Sequence, residues 1–545
     1  MFINFANGAG PHPEYNASGV IINGTVDNGA IWKFNTKSSI WTNVTPSGIS
    51  RAWGGISVDP SNSNRVVAST INNYQQQGSE GYGDRIYLST NGGTSWTDVI
   101  ARGYTLDPNG CTWIAGHAIH WAGSIEFDPF DTKKVMVTSG NGIFSNINID
   151  LASTPWKFDI IGLEETVPLD FISIPGGFNF SAIGDYDGFK HDDPTAYAPI
   201  HNPRTGTTTG ISYAALNTNK LLRTGNEMYY STDQGISWKS STTKGAKGKV
   251  AISANGNTFL HCPEKSTTTY YSTNNGASWT PCNGLSIGGA FPVADPVNSN
   301  KFYAYGNGTM YVSTDGGLNF AASGNPGAGG SNRVQTAPGK EGHLWVALYY
   351  GGFTRSVNSG QSFSKINGVS TCSAVGLGKA APGSTYFTIY IWGTVNNVTG
   401  VFRSTDEGAN WTRINDDAHE YGGPGNGQFI IGDMDVYSRV YMSTAGRGVA
   451  YGESSSVTAL ESEENLLADS GSFSSINCFP NPFQKEITIK SEQDFTYSIY
   501  DLTGKVQETG HGYGSVLAGN QLTSGTYIVK VQSINGNKVQ KVEKK

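Results

Sequence analysis

An eight-residue motif recurs along most of this chain, and its spacing constrains the fold more than any other feature. The last five full copies start 41, 41, 43 and 48 residues apart, which is the length of one four-stranded blade of a β-propeller. The full copies are STNGGTSW at 89–96, STDQGISW at 231–238, STNNGASW at 272–279, STDGGLNF at 313–320, SVNSGQSF at 356–363 and STDEGANW at 404–411. A degenerate copy, FNTKSSIW, occupies 34–41. This spacing predicts a series of propeller blades.

Each position of the motif has a structural explanation. The Ser and Thr end a strand, the Asp or Asn accepts hydrogen bonds from backbone amides of a turn, and the Gly adopts the positive φ which that turn requires. The Trp or Phe then begins the next strand and fills the apolar layer. The motif resembles the Asp-box of sialidases, sortilin-type receptors and several glycosidases, which usually lies on the periphery of a blade. Asp233, Asp315 and Asp406 are therefore predicted to be structural rather than catalytic.

The composition supports an all-β chain. Its 545 residues include 71 glycines and 12% aromatic residues, together with many Thr, Ser and Asn. Residues of these kinds favour strands joined by tight turns. At roughly 43 residues a blade, the repeat region of about 453 residues predicts ten or eleven blades.

Charge and apolar content exclude several classes of protein. The net charge of -7 and the lack of clustered Lys and Arg outside the last residues argue against a nucleic-acid partner. No apolar run is long enough for a transmembrane helix, so no membrane-spanning segment is predicted. The five cysteines lack the CxxC spacing of zinc ribbons and redox sites. Cys262 and Cys282 are close enough in sequence to suggest a disulfide, and isolated buried thiols are the alternative.

A different rhythm follows the repeats. Residues 453–470 are polar and acidic, lack aromatic residues and are predicted to be a linker. Residues 471–545 alternate apolar and polar residues between turn signals, which predicts a small C-terminal β-sandwich. The segments FPNPF, DLTGK and LTSGTYIVKV follow one another there. In this order of motifs the tail resembles the type A sorting domain of the type IX secretion system in Bacteroidetes.

That resemblance implies export across the outer membrane, with the type IX secretion machinery as a partner and a secreted or cell-surface location. Export by this route also requires an N-terminal signal peptide. The start of the chain, MFINFANGAGPHPEYNASGV, has no basic region, no apolar core and no cleavage site. We therefore expect either that Met1 is not the natural start or that the signal has been removed.

Six further stretches are not explained by the blade repeat. In chain order they are GISVDPSNSNRVVAST, GSIEFDPFDTKKVMVTSGNGIF, GLEETVPLDFISIPGG, SAIGDYDGFKHDD, RINDDAHEYGG and GRGVAYG. Their order and approximate spacing resemble glycoside hydrolase family 74, the endo-xyloglucanases and related oligoxyloglucan-specific enzymes, over residues 1–452. The resemblance implies two seven-bladed propellers that face each other across a cleft for xyloglucan. Residues 1–150 are then the last blades of an incomplete first propeller, and 151–452 are the seven-bladed second propeller.

The same resemblance implies the chemistry. Members of the family cleave a β-1,4-glucan backbone with inversion, using one aspartate from each propeller as general acid and general base. IGDYDGF matches the segment that carries the general acid, which places the acid on Asp185. The base comes from an early blade of the first propeller in the family, and no segment here matches its motif. The base is therefore expected in blades that precede Met1, and no cofactor or metal is predicted.

The residues around Asp185 leave alternatives open. Asp187 stands where the family usually has Gly, and a like charge two positions away is expected to perturb Asp185. DYDGFKHDD has the D-x-D-G core of a calcium loop but lacks its third spaced oxygen donor and terminal Glu, so metal binding is the weaker interpretation. His191 is a candidate substrate contact. Together with Asp192 and Asp193, it could equally orient the loop or lie in water.

Aromatic side chains supply the other predicted sugar contacts, because their rings stack on sugar faces. The first candidates are Trp113 and Trp121, which flank IAGHAIH, and the next are Tyr349 and Tyr350. Where family members often carry adjacent tryptophans, this chain reads INNYQQQ, so Tyr74 retains one platform and Gln75 loses the other. A role in the propeller core is the alternative for each of these aromatic residues.

Two other functions stay open at this stage. A sialidase shares the Asp-boxes but requires three arginines and a Tyr/Glu pair. Arg439 and Arg447 fall in C-terminal strands, and no arginine-bearing N-terminal motif is present. A sortilin-like or surface glycan-binding propeller would keep the boxes and the aromatic platforms without needing a base.

Overall fold

A computed structural model describes residues 1–10, 13–79, 81–152, 154–453, 477–501, 505–533 and 536–545. Nearly all regular structure in these residues is β-strand; the exceptions are one short α-helix, α1 (Val99–Arg102), and one 3-10 helix, η1 (Asp417–His419). The all-β fold class is thereby confirmed. The chain divides into two compact units, Met1–Ser454 and Ser455–Lys545. Apart from Glu453, the predicted linker at 453–470 lies outside the described residues.

Among the described residues before position 160 there are three sheets and two small hairpins. Their strands are β1 (Phe2–Ala6), β2 (Glu14–Tyr15), β3 (Ile21–Asn23), β4 (Gly29–Asn35), β5 (Ile40–Asn43), β6 (Trp53–Val58), β7 (Val66–Thr70), β8 (Gln75–Gln77), β9 (Gly81–Gly83), β10 (Ile86–Ser89), β11 (Thr97–Asp98), β12 (Leu106–Asp107), β13 (Ile125–Phe127), β14 (Val135–Ser139), β15 (Gly142–Asn146) and β16 (Trp156–Phe158). The sheets are ordered β1-β4-β5, β6-β7-β10-β11 and β13-β14-β15-β16-β12, and the hairpins are β2-β3 and β8-β9. We propose that the propeller boundary lies between β16 and Val167 rather than at residue 150, because β16 pairs with β15.

The described residues from Val167 to Gly452 form seven antiparallel sheets of three or four consecutive strands. Their strands are β17 (Val167–Ser173), β18 (Asn179–Gly184), β19 (Lys190–His191), β20 (Thr208–Ala214), β21 (Asn217–Gly225), β22 (Met228–Ser231), β23 (Lys239–Ser241), β24 (Lys249–Ile252), β25 (Phe259–Cys262), β26 (Thr268–Ser272), β27 (Thr280–Ser286), β28 (Val293–Ala294), β29 (Phe302–Gly306), β30 (Thr309–Ser313), β31 (Ala321–Ala322), β32 (Arg333–Thr336), β33 (Leu344–Ala347), β34 (Phe353–Ser356), β35 (Ser364–Lys365), β36 (Val369–Gly378), β37 (Thr388–Val395), β38 (Val398–Ser404), β39 (Thr412–Arg413), β40 (Ile430–Gly432), β41 (Val440–Ser443) and β42 (Val449–Gly452). Each sheet has the meander order of a propeller blade.

The seventh of these sheets returns to the first. Gly427 N donates a hydrogen bond to Pro168 O at 2.8 Å, just before β40 and inside β17. Phe171 on β17 stacks on Tyr441 and Phe429, with ring centroids 4.7 and 5.8 Å apart. The two ends of the series therefore meet, and the sheets close into the seven-bladed propeller of the predicted fold class.

Polar side chains tie the inner strands of neighbouring blades. Lys249 on β24 donates through Nζ to Leu169 O on β17 at 2.9 Å and to Thr209 O on β20 at 2.7 Å. Burial lowers the pKa of Lys249 to about 8. A cavity of about 370 Å³ beside these strands is lined by residues that include Asp170, Phe291 and Arg333. One ammonium group thus joins the backbones of three successive blades.

The third N-terminal sheet shares an apolar core with the first blade of the closed propeller. The common core contains Trp113, Phe144, Phe158, Ile183, Tyr186 and Phe189, all buried. Trp113 lies between the two regions, with its ring centroid 5.3 Å from that of Phe158 and 4.5 Å from that of Tyr186. The turn that follows β18 is therefore anchored by the N-terminal sheets as well as by its own blade.

In the repeated octamers, the polar side chains of the turn form hydrogen bonds with other groups of the same turn. In the copy at 231–238, Ser231 Oγ accepts from Gly235 N at 2.8 Å and donates to Asp233 Oδ1 at 2.7 Å. Asp233 also accepts from Ser237 N at 2.9 Å. Gly235 has φ 75°, a conformation that favours glycine. Hydrogen bonds from the Ser237 and Ser231 side chains and the Ser237 amide lower the pKa of Asp233 to about 2.

The C-terminal unit is a separate sheet with its own core. Its strands are β43 (Asn477–Phe479), β44 (Ile487–Asp501), β45 (Val506–Ala518), β46 (Gly525–Ser533) and β47 (Gly536–Lys544), ordered β43-β44-β46-β47 with β45 on the other edge of β44. The core of this unit includes the buried side chains of Ile487, Ile489, Phe495, Val529 and Val531. The strands of the predicted sandwich are thus hydrogen-bonded into one continuous sheet.

Two features of the sequence can be checked directly. The five cysteines are free thiols in the described part of the chain, so the suggested Cys262–Cys282 disulfide is wrong and the alternative of buried thiols holds. Burial raises the pKa of Cys282 to about 12. No helix among the described residues has the length and apolar character needed to span a membrane.

Candidate active site

Strand β18 ends in a tight turn that carries Asp185. Asp185 and Asp187 have φ values of 64° and 63°, and Gly188 follows with φ 117°. Gly188 N donates to Tyr186 O at 2.6 Å, which closes the turn. A Cβ at position 188 would lie 2.0 Å from Ser181 O, so this position requires glycine. The backbone that carries Asp185 is therefore tightly constrained.

The turn sends its side chains in different directions. Asp185 is exposed, whereas Tyr186 and Asp187 are buried. Asp185 N donates to Thr207 Oγ1 at 3.0 Å, a contact with the start of the next blade. The Asp185 carboxyl makes no hydrogen bond or ion pair with any residue that the structure describes. Asp185 thus presents a free carboxyl to solvent from a fixed backbone.

The Asp187 carboxylate is bound by other groups of the protein. Its side chain is 0% exposed, forms an ion pair with Arg204 Nε and accepts a hydrogen bond from Thr205 N. A carboxylate held in this way is not free to ligate a cation, which argues against the calcium-loop interpretation. The guanidinium also offsets the charge that was expected to perturb Asp185. Asp187 therefore joins the turn to the segment that leads into β20.

Two of the predicted sugar contacts form a pair. Trp121 Nε1 donates to Tyr74 Oη at 2.7 Å, and the Tyr74 ring stacks against His120 with centroids 6.3 Å apart. Tyr74 is 47% exposed and Trp121 is half-buried. Burial raises the pKa of Tyr74, and the charges of Asp84 and Asp185 raise it further. Tyr74 therefore lies within electrostatic reach of Asp185, and Trp121 is joined to Tyr74 by its hydrogen bond.

Two other predicted contacts lie elsewhere, and the first of them requires correction. Trp113 is 2% exposed and packs in the shared core, so neither face of its ring is free for a sugar. His191 Nε2 lies 3.0 Å from Ser181 Oγ, and that oxygen also accepts from Phe189 N at 3.1 Å. Burial lowers the pKa of His191 to about 4. His191 therefore contacts the strand pair that carries the turn, as one of the alternatives expected, and its role as a substrate contact stays a prediction.

Tyr349 and Tyr350 are exposed on the turn after β33. Their exposed fractions are 38% and 74%, and their ring centroids are 4.1 Å apart. Backbone hydrogen bonds join Tyr349 to Cys372 and Tyr350 to Gly329. These contacts do not link the pair to the Asp185 turn, and its role as a sugar platform stays a prediction.

The sequence interpretation missed Asp84. This carboxylate is 1% exposed and lies beside the Tyr74–Trp121 pair. Its hydrogen-bond donors are Thr70 Oγ1, Asn73 N and Ala122 N. Burial raises the pKa of Asp84. The sequence did contain a signal for Asp84. In GYGDR this charged residue follows Gly81 and Gly83, in a chain where only 14% of residues are charged.

Comparison with protein families finds two matches. A BNR/Asp-box repeat covers residues 229–240, and a secretion system C-terminal sorting domain covers residues 477–545. The first match includes the octamer at 231–238, and the second includes all five strands of the C-terminal unit.

Curated relatives and solved structures agree. Xyloglucanase Xgh74A of Acetivibrio thermocellus is 33% identical over 544 residues, covering 91% of this chain and 62% of the relative. A xyloglucanase of Paenibacillus sp is 32% identical and covers 83% of this chain and 47% of the relative. The crystal structure of the GH74 enzyme of Niastella koreensis is 51% identical with a TM-score of 0.73, covering 79% of this chain and 64% of that one. The GH74 xyloglucanase of Xanthomonas campestris is 30% identical with a TM-score of 0.69, covering 83% and 65%.

This chain thus spans at most about two thirds of the length of each of these relatives. Sequence identity of 51% and a shared fold over 79% of this chain establish that it is related to the GH74 enzyme of Niastella koreensis. The chain belongs to glycoside hydrolase family 74 and ends in a secretion-system sorting domain.

Proposed function

We propose that the propeller region cleaves the β-1,4-glucan backbone of xyloglucan with inversion and that Asp185 is the general acid. The observation that carries this proposal is the free Asp185 carboxyl on a constrained turn near the Tyr74–Trp121 pair. The xyloglucanases among the relatives supply the substrate class. An inverting glycosidase needs one carboxylic acid that protonates the leaving oxygen and one carboxylate that activates water.

The turn gives Asp185 the fixed position that a general acid needs. Proton transfer to a glycosidic oxygen requires the carboxyl to stay at hydrogen-bond distance while the bond breaks. The Asp187–Arg204 ion pair and the buried Tyr186 hold the backbone on the C-terminal side of Asp185. Because the carboxyl itself has no protein partner among the described residues, it is free to contact the glycosidic oxygen of a substrate.

Tyr74 and Trp121 are proposed as the sugar platform beside the acid. A ring that stacks on a sugar face contributes apolar contact without requiring a particular hydroxyl pattern. The hydrogen bond between the indole N–H and the phenol oxygen fixes the angle between the two rings. The electrostatic effect of Asp185 on Tyr74 supports binding of the backbone sugar next to the bond that is cleaved.

The general base is not assigned to a residue of this chain. Asp84 is the other carboxylate whose charge reaches Tyr74. Its two oxygens are buried and accept three hydrogen bonds from the protein. A base must be accessible to a water molecule, so Asp84 does not fit that role.

The C-terminal unit supports a proposal for location. A secretion system C-terminal sorting domain matches residues 477–545. We propose that the type IX secretion machinery recognises this unit and that the protein acts outside the cell or on its surface, where a plant polysaccharide is accessible.

The test compares the wild-type chain with Asp185→Asn and Asp192→Asn on xyloglucan, following reducing ends and binding. Asparagine preserves the size of the side chain and tolerates the positive φ at 185. Asp192 is a matched control because it is also exposed and lies seven residues along. We expect Asp185→Asn to lose turnover by about 100-fold or more, with xyloglucan binding and Asp192→Asn unchanged. NMR of the first product should show the inverted anomer.

The other outcomes separate the alternatives. Binding without turnover by the wild-type chain would show that these residues do not supply the general base, and it is also what a non-catalytic glycan-binding propeller predicts. Equal turnover in wild type and Asp185→Asn would exclude Asp185 as the acid. Neither binding nor turnover would contradict the substrate assignment.

A further inference from the structure

Asp84 joins the two loops that carry the aromatic pair. Its Oδ1 accepts from Asn73 N at 2.9 Å, and its Oδ2 accepts from Ala122 N at 3.1 Å. Asn73 directly precedes Tyr74, and Ala122 directly follows Trp121. One buried carboxylate therefore holds the backbone next to both rings. Hydrogen bonds to a charged acceptor are stronger than bonds between neutral groups, which suits this bridging position.

Both loops need such a restraint because their backbones are strained. Asn72, Tyr74 and Trp121 have φ values of 60°, 44° and 55°. Bulky residues rarely adopt positive φ, and they do so only when the surrounding structure fixes the conformation. Without the two bonds to Asp84, we expect both loops to relax and the Trp121 indole to leave the Tyr74 oxygen.

A neighbouring contact brings Asp84 to the second loop. Asp84 N donates to Ile119 O at 2.7 Å, and Gln77 Nε2 donates to the same oxygen at 2.8 Å. A Cβ at Gly83 would lie 2.0 Å from Ile119 O. Glycine before Asp84 is therefore required for the two loops to approach closely enough to share its carboxylate.

We propose that Asp84 is a positioning residue for substrate binding: it holds Tyr74 and Trp121 in the arrangement that receives a sugar of the glucan backbone beside Asp185. The role in substrate binding rests on the proposed function. Asp84 itself touches no substrate, because it is buried beneath the loops that it joins.

The experiment replaces Asp84 by Asn and measures kcat and KM on xyloglucan. The amide keeps the size of the side chain but presents an NH2 group to one of the backbone N–H donors, so at least one bridge is lost. We expect KM to rise about tenfold with kcat changed by less than about twofold, because the platform binds ground and transition states alike.

Asp59→Asn is the matched control in the same blade. Asp59 is 4% exposed and accepts hydrogen bonds from Ser61 N at 2.8 Å and Arg65 Nη1 at 3.1 Å. It lies between β6 and β7, whereas Asp84 lies in the loop between β7 and β10 at the other end of the blade. Asp59→Asn is expected to lower the melting temperature without changing KM. An equal KM increase in both variants would overturn the proposal, because it would reflect general loosening of the blade.

A double-mutant cycle with Tyr74→Ala separates positioning from structure. If Asp84 acts through the aromatic pair, Asp84→Asn changes KM in the wild-type background and has no further effect once Tyr74 is Ala. Additive effects would overturn the proposal. Thr70→Val, which removes the hydroxyl that donates to Asp84 Oδ1 at 3.0 Å and accepts from Arg85 N at 2.8 Å, replaces Asp84→Asn in the cycle if that variant does not fold.

Hydrogen exchange tests the restraint without substrate. The amides of Asn73 and Ala122 are expected to lose protection in Asp84→Asn and to keep it in Asp59→Asn. Retained protection in Asp84→Asn would overturn the proposal. A wild-type chain that neither binds nor cleaves xyloglucan would contradict the proposed function and the substrate role of Asp84 together. Wild-type turnover with unchanged KM in Asp84→Asn would overturn the inference alone.

Discussion

The turn after β18 and the Asp-box turns both place an aspartate in a turn with positive-φ residues but use the carboxylates differently. In the box at 231–238, Gln234 and Gly235 have positive φ, and the Asp233 carboxylate accepts hydrogen bonds from within its own turn. In the turn after β18, Asp185 has positive φ and a carboxyl without a described partner. Hydrogen bonding, rather than residue type, separates a structural aspartate from one available for chemistry.

The same contrast occurs within a single turn. Asp185 and Asp187 are two positions apart with nearly equal φ values of 64° and 63°. Asp187 is buried against Arg204, whereas Asp185 is exposed. The buried aspartate holds the backbone from which the exposed one projects.

The largest expected effect concerns Asp185 and distinguishes a general acid from a structural aspartate. A xyloglucan oligosaccharide with a nitrophenyl leaving group needs little protonation, so Asp185→Asn should lose about 100-fold on the polymer and far less on this substrate. Asp233→Asn should retain kcat on both substrates. Rates on the two substrates provide the measurement, and equal losses in Asp185→Asn would show that the residue does not act as an acid.

A stability effect comes next. Asp187→Asn removes the charge that pairs with Arg204 and weakens the acceptor of Thr205 N. We expect a loss of about 1–3 kcal/mol in the free energy of unfolding, measured by denaturant titration of the propeller. Asp192→Asn, in the exposed part of the same cluster, should change it by less than about 0.5 kcal/mol. Equal values for the two variants would contradict the structural role of Asp187.

The Asp-box predicts a pH-dependent effect. The pKa of Asp233 is lowered from 3.8 to about 2 in the folded protein. A lowered folded-state pKa means that the carboxylate stabilises the fold above pH 3.8 and that this contribution is lost as the pH falls toward 2. Melting temperatures between pH 5 and 2 should therefore fall less steeply in Asp233→Asn than in the wild type. Parallel curves would show that Asp233 is not held as the structure describes.

The smallest effect concerns the aromatic pair. Tyr74→Phe keeps the ring and removes the oxygen that accepts from Trp121 Nε1. Xyloglucan binding should weaken by about threefold, since a single neutral hydrogen bond restrains the two rings. An isotherm on the polymer measures this change. Phe320→Leu, in a distant Asp-box, should leave the affinity unaltered.

Local patterns predicted the fold well. The octamers recur at blade-length intervals, and each copy forms its turn from residues within eight positions of one another. Such contacts are readable from a single sequence because partners close in the chain meet whatever the rest of the fold does. The all-β propeller fold class is accordingly confirmed. The assignment of Asp185 as general acid stays a prediction whose geometry is favourable.

Predictions about individual aromatic residues were less successful, for a physical reason. Trp113 and Trp121 stand eight positions apart with similar sequence neighbours, yet Trp113 is buried against Tyr186 and Trp121 reaches Tyr74. A tryptophan ring suits an apolar core and a sugar platform equally well. Contacts with residues some fifty or more positions away decide between these roles, and no short pattern encodes them.

The sequence by itself determined the repeat, the all-β class, the sorting domain and the segment in which the acid is proposed, because these depend on residue order and short-range turn chemistry. Only the tertiary structure decided which carboxylates form hydrogen bonds or ion pairs with other residues. Asp187 is held by Arg204 and Thr205 from the segment before β20, and Asp84 is shared by two loops that meet through the packing of neighbouring blades. A carboxylate becomes structural or available according to the donors that folding brings to it.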